Sequence, residues 1–473
     1  MRFGSAIVIA LMIVSAVATS SRSARVLCPS QDRPTQPLPP ARFEDGPSLT
    51  QADLVSDFDG WIAGMRATNP DLSIRVDPAA LDRKAAEIRR SLNSPMSRRI
   101  AWEHFALLNP VLRDAHAGVQ MPDYREALQA HIAAGGRIVP IEVRFGRDGV
   151  LRVFAVAPGT VGVQPGDQVE AVNGHLASEM VREMLLRSIG DSDLGRRAWV
   201  SRRFAMLYWQ LYGDTGQYDL TVRSASTNCR RVIRMEGGTS LPPALQPDPP
   251  AKDQFGWRIL DGDIGYLRAD GFDPPFKDAL ASFAKTAFTA FSQAHIKALI
   301  IDVRENGGGD DPLWQQSLME YITTKPYAQL SRYVQRITKA HADPGDVVGT
   351  VRRGDFKDRF TPTPVNPIRF AGPVYILDGP YSYSATIQFL VAAQDFGIAK
   401  IAGEETGALS CQTGQVARLE MPRTGLSAST PAIAYTRPSG VGCRRGVMPD
   451  VVVPIDQVRP DNTLAALVSR IAR

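Results

Sequence analysis

Ala298-Leu299-Ile300-Ile301-Asp302-Val303-Arg304-Glu305-Asn306-Gly307-Gly308-Gly309 starts as a short apolar run and ends in three glycines. A second stretch repeats the plan: Val374-Tyr375-Ile376-Leu377 passes through a turn into Ser384-Ala385-Thr386-Ile387. Short apolar runs bounded by turn residues predict buried strands, and each loop opens into helix-like sequence. In an open parallel sheet such loops gather at the carboxyl ends of the strands, where ligands bind. A glycine loop offers bare N–H groups. A serine at a helix start offers a nucleophile beside a positive dipole end. Together they specify a candidate serine hydrolase.

Strand and helix signals alternate on both sides of these stretches. Ile264-Gly265-Tyr266-Leu267-Arg268 predicts a strand, Phe276 to Ala294 a helix, Leu313 to Tyr321 a helix and Ile398 to Gly403 a strand. That order predicts an α/β core over residues 250–473. Ahead of it, Pro242-Pro243, Pro247 and Pro249-Pro250 mark a linker. Residues 137–236 read as β-rich with a helical insertion from Ser178 to Tyr212, and Gly166 to His175 resembles a segment common in PDZ domains. Residues 49–136 read as helical: Pro78 opens one helix, and Ser97 to Leu112 forms another that is interrupted near Pro110. Residues 23–48, rich in Pro, Gln and Asp, read as a tether. The fold class is thus α/β in the broad, multidomain α+β sense, and no internal repeat is seen.

A chain of 473 residues has room for two or three domains. Net charge is +5, with basic residues scattered rather than clustered, which argues against nucleic acid as a partner. Met1-Arg2, the uncharged stretch Phe3 to Ala18 and the polar Thr19-Ser20-Ser21-Arg22 form the layout of a secretory signal peptide over residues 1–22. Export to the periplasm or outside the cell follows, with no membrane span after cleavage. Four cysteines then permit disulfides, and the absence of C-x-x-C spacing excludes zinc and thioredoxin-like sites. The expected pairs are Cys411 with Cys443, and Cys28 with Cys229.

Residues Ile264 to Asp450 resemble the C-terminal processing (tail-specific) serine peptidase family, in its tricorn-like and retinoid-binding-protein-like branches. The matches run in family order: Ile264-Gly265-Tyr266-Leu267, Asp302 to Gly309, Ser384-Ala385-Thr386, Gly403-Glu404-Glu405-Thr406-Gly407 and Gly446-Val447-Met448-Pro449-Asp450. The resemblance implies a core of the ClpP/crotonase-like type, a peptide or protein substrate, and no metal or other cofactor. It makes Ser384 the nucleophile, with Ser382 as rival. The oxyanion donors it implies are the Ala385 N–H and Gly308 N–H, with Gly307 close behind.

The base departs from the bacterial processing pattern. Gly407-Ala408-Leu409-Ser410 holds no lysine, and Lys400 lies within an expected strand. The tricorn-like branch uses a histidine after a Leu-x-Asp-x-His stretch, which Leu112-Arg113-Asp114-Ala115-His116 matches. His116 is therefore the expected general base. The branch's glutamate is replaced by Cys443, so Glu404 is the expected orienting acid, with Asp114 behind it. The alternatives are an inactive ligand- or peptide-binding protein on the same scaffold, which the departures in base and acid motivate, and a serine esterase. Ser282-Phe283-Ala284-Lys285 copies an S-x-x-K motif but sits in an amphipathic helix and is read as surface and core patterning.

Overall fold

The computed structural model describes residues 47–121, 123–246 and 250–472. The expected signal peptide, most of the tether and Cys28 lie outside these residues.

The two opening stretches are the centre of a six-stranded sheet. Its order is Val451–Val452, Lys400–Gly403, Val374–Leu377, Ala298–Asp302, Ile264–Ala269 and Phe255–Leu260. All neighbours are parallel except the last pair. All five residues of Ala298–Asp302 are buried, as a strand covered on both faces requires. One face packs against the helices Lys277–Gln293 and Ala385–Asp395 through Phe288, Phe291, Trp314 and Phe389. The other packs Ile300, Leu377 and Val453 against Leu464 and Leu467 of the terminal helix Pro460–Ile471. Ser282 and Lys285 are exposed on the Lys277–Gln293 helix, as its periodicity implies.

The middle region forms its own antiparallel sheet, in the order Ile141–Phe145, Leu151–Val156, Gln168–Val172, Gln217–Arg223 and Arg230–Glu236. The single helix expected from Ser178 to Tyr212 is two, Ala177–Leu185 and Asp193–Tyr212. Gly190 at φ 151° breaks the run, and the Ser192 side chain caps the second helix by accepting from Gly195 N–H at 3.1 Å. The break carries Asp191 inward, where it is buried.

A third sheet joins the helical front region to the core. Gly118–Gln120 pairs antiparallel with Leu426–Thr436, Gly118 facing Ser429. Leu426–Thr436 also pairs with Thr413–Met421 and Arg332–Arg336, and the latter with Val351–Asp355. The helix Gln51–Thr68 lies on this sheet. There Asp57 accepts hydrogen bonds from Arg423 N–H and Thr424 N–H at 3.0 and 2.6 Å. Met421, Leu426 and Ala428 join the same core as Phe58, Trp61 and Phe105. The front region is thus packed onto the core, and the residue two before Gly118 is His116.

Candidate active site

Ser384 stands between the strand Val374–Leu377 and the helix Ala385–Asp395. Its backbone adopts φ 54° and ψ −122°. Such a conformation costs a non-glycine residue about 1–3 kcal/mol and persists only where its surroundings fix it. Asn306 does much of the fixing. Its carbonyl accepts from Tyr383 N–H at 3.2 Å, and its side-chain oxygen accepts from the Thr386 hydroxyl at 2.6 Å. Its amide nitrogen donates to Ala269 O at 3.0 Å, tying the turn to the neighbouring strand. Ser382, the rival nucleophile, is fully buried; its hydroxyl donates to Val303 O at 2.8 Å and accepts from Gly379 N–H at 3.1 Å. It braces the turn. The Ser384 side chain makes no capping bond to its helix.

The Ser384 hydroxyl faces His116 instead, with Oγ to Nε2 at 3.2 Å across 268 residues of sequence. Two hydroxyls meet the other ring nitrogen: Thr413 Oγ1 at 2.9 Å and the Tyr383 hydroxyl at 3.0 Å from Nδ1. Each is itself a donor to a buried carboxylate. Thr413 donates to Asp114 Oδ1 at 3.0 Å, and Tyr383 to Asp191 Oδ1 at 3.4 Å. With their own protons so directed, both hydroxyl oxygens accept from Nδ1–H, which leaves Nε2 as the acceptor for the serine proton. Asp114 Oδ1 also accepts from the His116 backbone N–H at 2.8 Å and lies 3.7 Å from Nδ1. Asp191 further accepts from Ala115 N–H and Leu409 N–H, each at 3.0 Å.

Burial decides the electrostatics. It pushes the imidazole below its ordinary 6.5, against the pull of Asp114 and Asp191, while Arg75 adds to the lowering. It pushes the Asp114 carboxyl above its ordinary value, opposed by Arg75 and reinforced by Asp191. Burial also raises the Tyr383 phenol well above its usual range, with Asp191 and Asp114 adding to it. Low dielectric thus keeps the imidazole neutral, the form that accepts a proton.

Two expected residues sit differently. Glu404 is not among the groups bonded to His116; its carboxylate pairs with Arg147 Nη2 at 2.9 Å. The offset within Gly403 to Gly407 turns it toward the middle region instead. Gly308 does reach Ser384: a Cβ there would meet Ser384 Cβ at 2.7 Å and Ala385 N at 3.1 Å. Its N–H, however, donates to Asn306 Oδ1 at 2.9 Å. The Ala385 N–H is the first donor of its helix and has no intrahelical acceptor. Lys400 is exposed at the far end of its strand. Sequence reasoning missed Thr413, Tyr383 and Asp191. Only Asp191 left a signal, within the turn-like Ser188-Ile189-Gly190-Asp191-Ser192.

The expected disulfide between Cys411 and Cys443 is present, two residues before Thr413. Cys229 is also disulfide-bonded. No group of metal-ligating side chains occurs among the described residues, and no helix among them is long and apolar enough to cross a membrane.

Residues 263–453 match the sequence profile of peptidase family S41. Mature CPAF complexed with lactacystin is similar in structure, with a TM-score of 0.64 at 14% identity over 89% of this chain and 98% of its own. Mature CPAF alone gives 0.64 at 16% identity over 89% and 96%. The photosystem II D1 C-terminal processing protease gives 0.47 at 18% identity over 89% and 98%. At these identities the likeness to CPAF is one of fold.

Proposed function

The chain carries a peptidase family S41 domain over residues 263–453 and is a serine-type peptidase; from that premise we propose that Ser384 and His116 are its nucleophile and general base, and that it acts on peptides outside the cytoplasm. The observation that carries the reading is the 3.2 Å contact between Ser384 Oγ and His116 Nε2, made by a serine held at a strained backbone angle. Ser384 attacks the peptide carbonyl as Nε2 takes its proton. The imidazolium then returns that proton to the leaving amine, and water, activated by the same nitrogen, releases the acyl group.

Asp114 and Asp191 stabilise the imidazolium through Thr413 and Tyr383, in place of a single carboxylate on Nδ1. The Ala385 N–H is the first oxyanion donor. The glycine loop supplies the second, and using Gly308 N–H requires exchange of its bond to Asn306. The Cys411–Cys443 disulfide supports export to an oxidising compartment.

The contact favours the peptidase reading over the ligand-binding alternative, which has no need of a base on the serine. A fluorophosphonate probe tests it. We expect stoichiometric labelling at Ser384, and loss of both labelling and peptide turnover in His116→Gln. A folded native chain that resists the probe and cleaves no peptide would end the reading.

A further inference from the structure

Arg75 follows the short turn Leu72–Ile74 of the front region, and its backbone N–H donates to Leu72 O at 3.1 Å. Asp71 caps that turn by accepting from Ser73 N–H at 3.2 Å. The Arg75 side chain reaches the loop held by the Cys411–Cys443 disulfide. Its Nη2 donates to Cys411 O at 2.5 Å, across 336 residues of sequence, and the same nitrogen lies 3.9 Å from Asp191 Oδ2. The Arg75 and Asp191 side chains are 8% and 1% exposed, so solvent screens their charges little. Asp191 Oδ2 also accepts from Leu409 N–H at 3.0 Å and from Gln412 Nε2 at 3.4 Å. One guanidinium thus holds residues 409–413 twice, directly by the Cys411 carbonyl and indirectly through Asp191. Thr413, at the end of that segment, meets His116 Nδ1.

Resting on the reading of Ser384 and His116 as nucleophile and base, we propose that Arg75 is a positioning residue for the reaction: it fixes the segment that carries Thr413 and supplies the positive charge that balances Asp114 and Asp191 beside a neutral imidazole. The charged and titratable groups that face His116 are Asp114 from its own stretch, Asp191 from the helix break, Arg75 from the front turn and the Tyr383 hydroxyl beside Ser384. A cation near a base opposes the imidazolium, and on that ground alone it would slow the reaction. The resting state decides otherwise. Two buried carboxylates without a cation would draw a proton into the network, onto His116 or onto Asp114, and the base would be spent before substrate arrives. Burial raises Asp114 and lowers His116, and the charge of Arg75 lowers both. Two carboxylates and one guanidinium leave the resting network with one net negative charge. Transfer of the serine proton to Nε2 then brings it to neutrality, which favours the transition state over the ground state. Arginine suits this place because it keeps its charge in proteins, and its planar fork serves a carbonyl and a carboxylate together.

The experiment follows the second-order rate of fluorophosphonate labelling at Ser384 in the full chain, from about pH 5 to about pH 9. Arg75→Gln should move the acid limb of that rate upward by about one pH unit or more, so that labelling lost at neutral pH recovers in alkali. Arg75→Lys keeps the charge and should leave the limb in its native place, while loss of the planar fork lowers the plateau. A residue that only braced the fold would lower the plateau in both variants and move the limb in neither. Removing one partner of a buried pair can cost the fold. The second comparison therefore starts from Asp191→Asn, in which Arg75 has already lost that partner; adding Arg75→Gln there should still raise the limb relative to Asp191→Asn alone. An unmoved limb in either comparison overturns the proposal. So does an Arg75→Lys limb displaced as far as that of Arg75→Gln. A native chain that fails to label, or a limb that persists in His116→Gln, would count against the catalytic reading instead.

Discussion

Thr413→Val removes one hydroxyl and keeps the shape of the side chain. In the native arrangement that hydroxyl accepts from His116 Nδ1 at 2.9 Å and donates to Asp114 Oδ1 at 3.0 Å. The variant leaves Nδ1 with the Tyr383 hydroxyl at 3.0 Å, and leaves Asp114 Oδ1 with the His116 backbone N–H at 2.8 Å. Neither group is orphaned, so the fold should survive. What is lost is the link between the imidazolium formed in the transition state and the nearer carboxylate. A hydrogen bond to a charged group contributes about 1.5–3 kcal/mol. At about 1.4 kcal/mol per decade, kcat should fall between about tenfold and about a hundredfold, with little change in KM. Peptide turnover gives the steady-state value, and the second-order rate of fluorophosphonylation isolates the activation of Ser384. Tyr383→Phe should act from the other hydroxyl, and the double variant should approach the loss seen in His116→Gln. If Thr413→Val stays within about threefold of the native rate while His116→Gln is inactive, the hydroxyl link is not what orients the base.

Four further outcomes follow from the same geometry. The acid limb of kcat/KM should lie below pH 6.5, because burial lowers the His116 imidazole and delays its protonation; a pH–rate profile with the limb at or above 7 would contradict this. Gly308→Ala should destabilise the chain by roughly 1–3 kcal/mol or more in denaturant unfolding and abolish labelling, since φ is +106° and the new Cβ meets Tyr383 O at 2.8 Å. The Asp270 carboxyl is raised from 3.8 to about 7 by burial, so its proton-linked stability is full below about pH 4 and is lost as pH rises through 7; Asp270→Asn should flatten the stability–pH curve over that window. Cys443→Ser opens a 32-residue separation that carries Thr413, and thermal unfolding should show a loss of about 3–4 kcal/mol on the chain-entropy estimate.

Sequence alone was enough to place the core because its signals are local. Ala298–Asp302 and Val374–Leu377 are buried on both faces, and burial on both faces writes itself as an unbroken apolar run. Ser384, Ala385 and Gly308 lie directly after those runs, so the loops that hold them were legible too. The motif singled out His116, and the strand Gly118–Gln120 explains how that side chain comes to face Ser384: pairing with Leu426–Thr436 carries it over the core. The five-stranded sheet that holds this pairing was not legible. Its strands Thr413–Met421 and Leu426–Thr436 mix Gly, Ala, Ser and Thr among the apolar positions, because the front helices cover only one part of them.

The proposed orienting groups escaped for a different reason, and the reason is chemical. A search for a third catalytic group looks for a carboxylate at the right offset from a motif, which selected Glu404. Here the ring nitrogen meets hydroxyls, and the carboxylates stand one hydrogen bond behind them. Thr413 is 297 residues from His116 and Asp191 is 75, so no local pattern could join them. What joins them is the meeting of three pieces: the hairpin that begins at Thr413, the helix break at Gly190, and the strand that follows His116. Each comes from a different region of the chain, and each supplies one bond or one ring of the network. The proposed base, assembled this way, exists only when front, middle and core are packed together. Local loosening of any one of them should therefore disarm Ser384 before the parallel sheet itself unfolds.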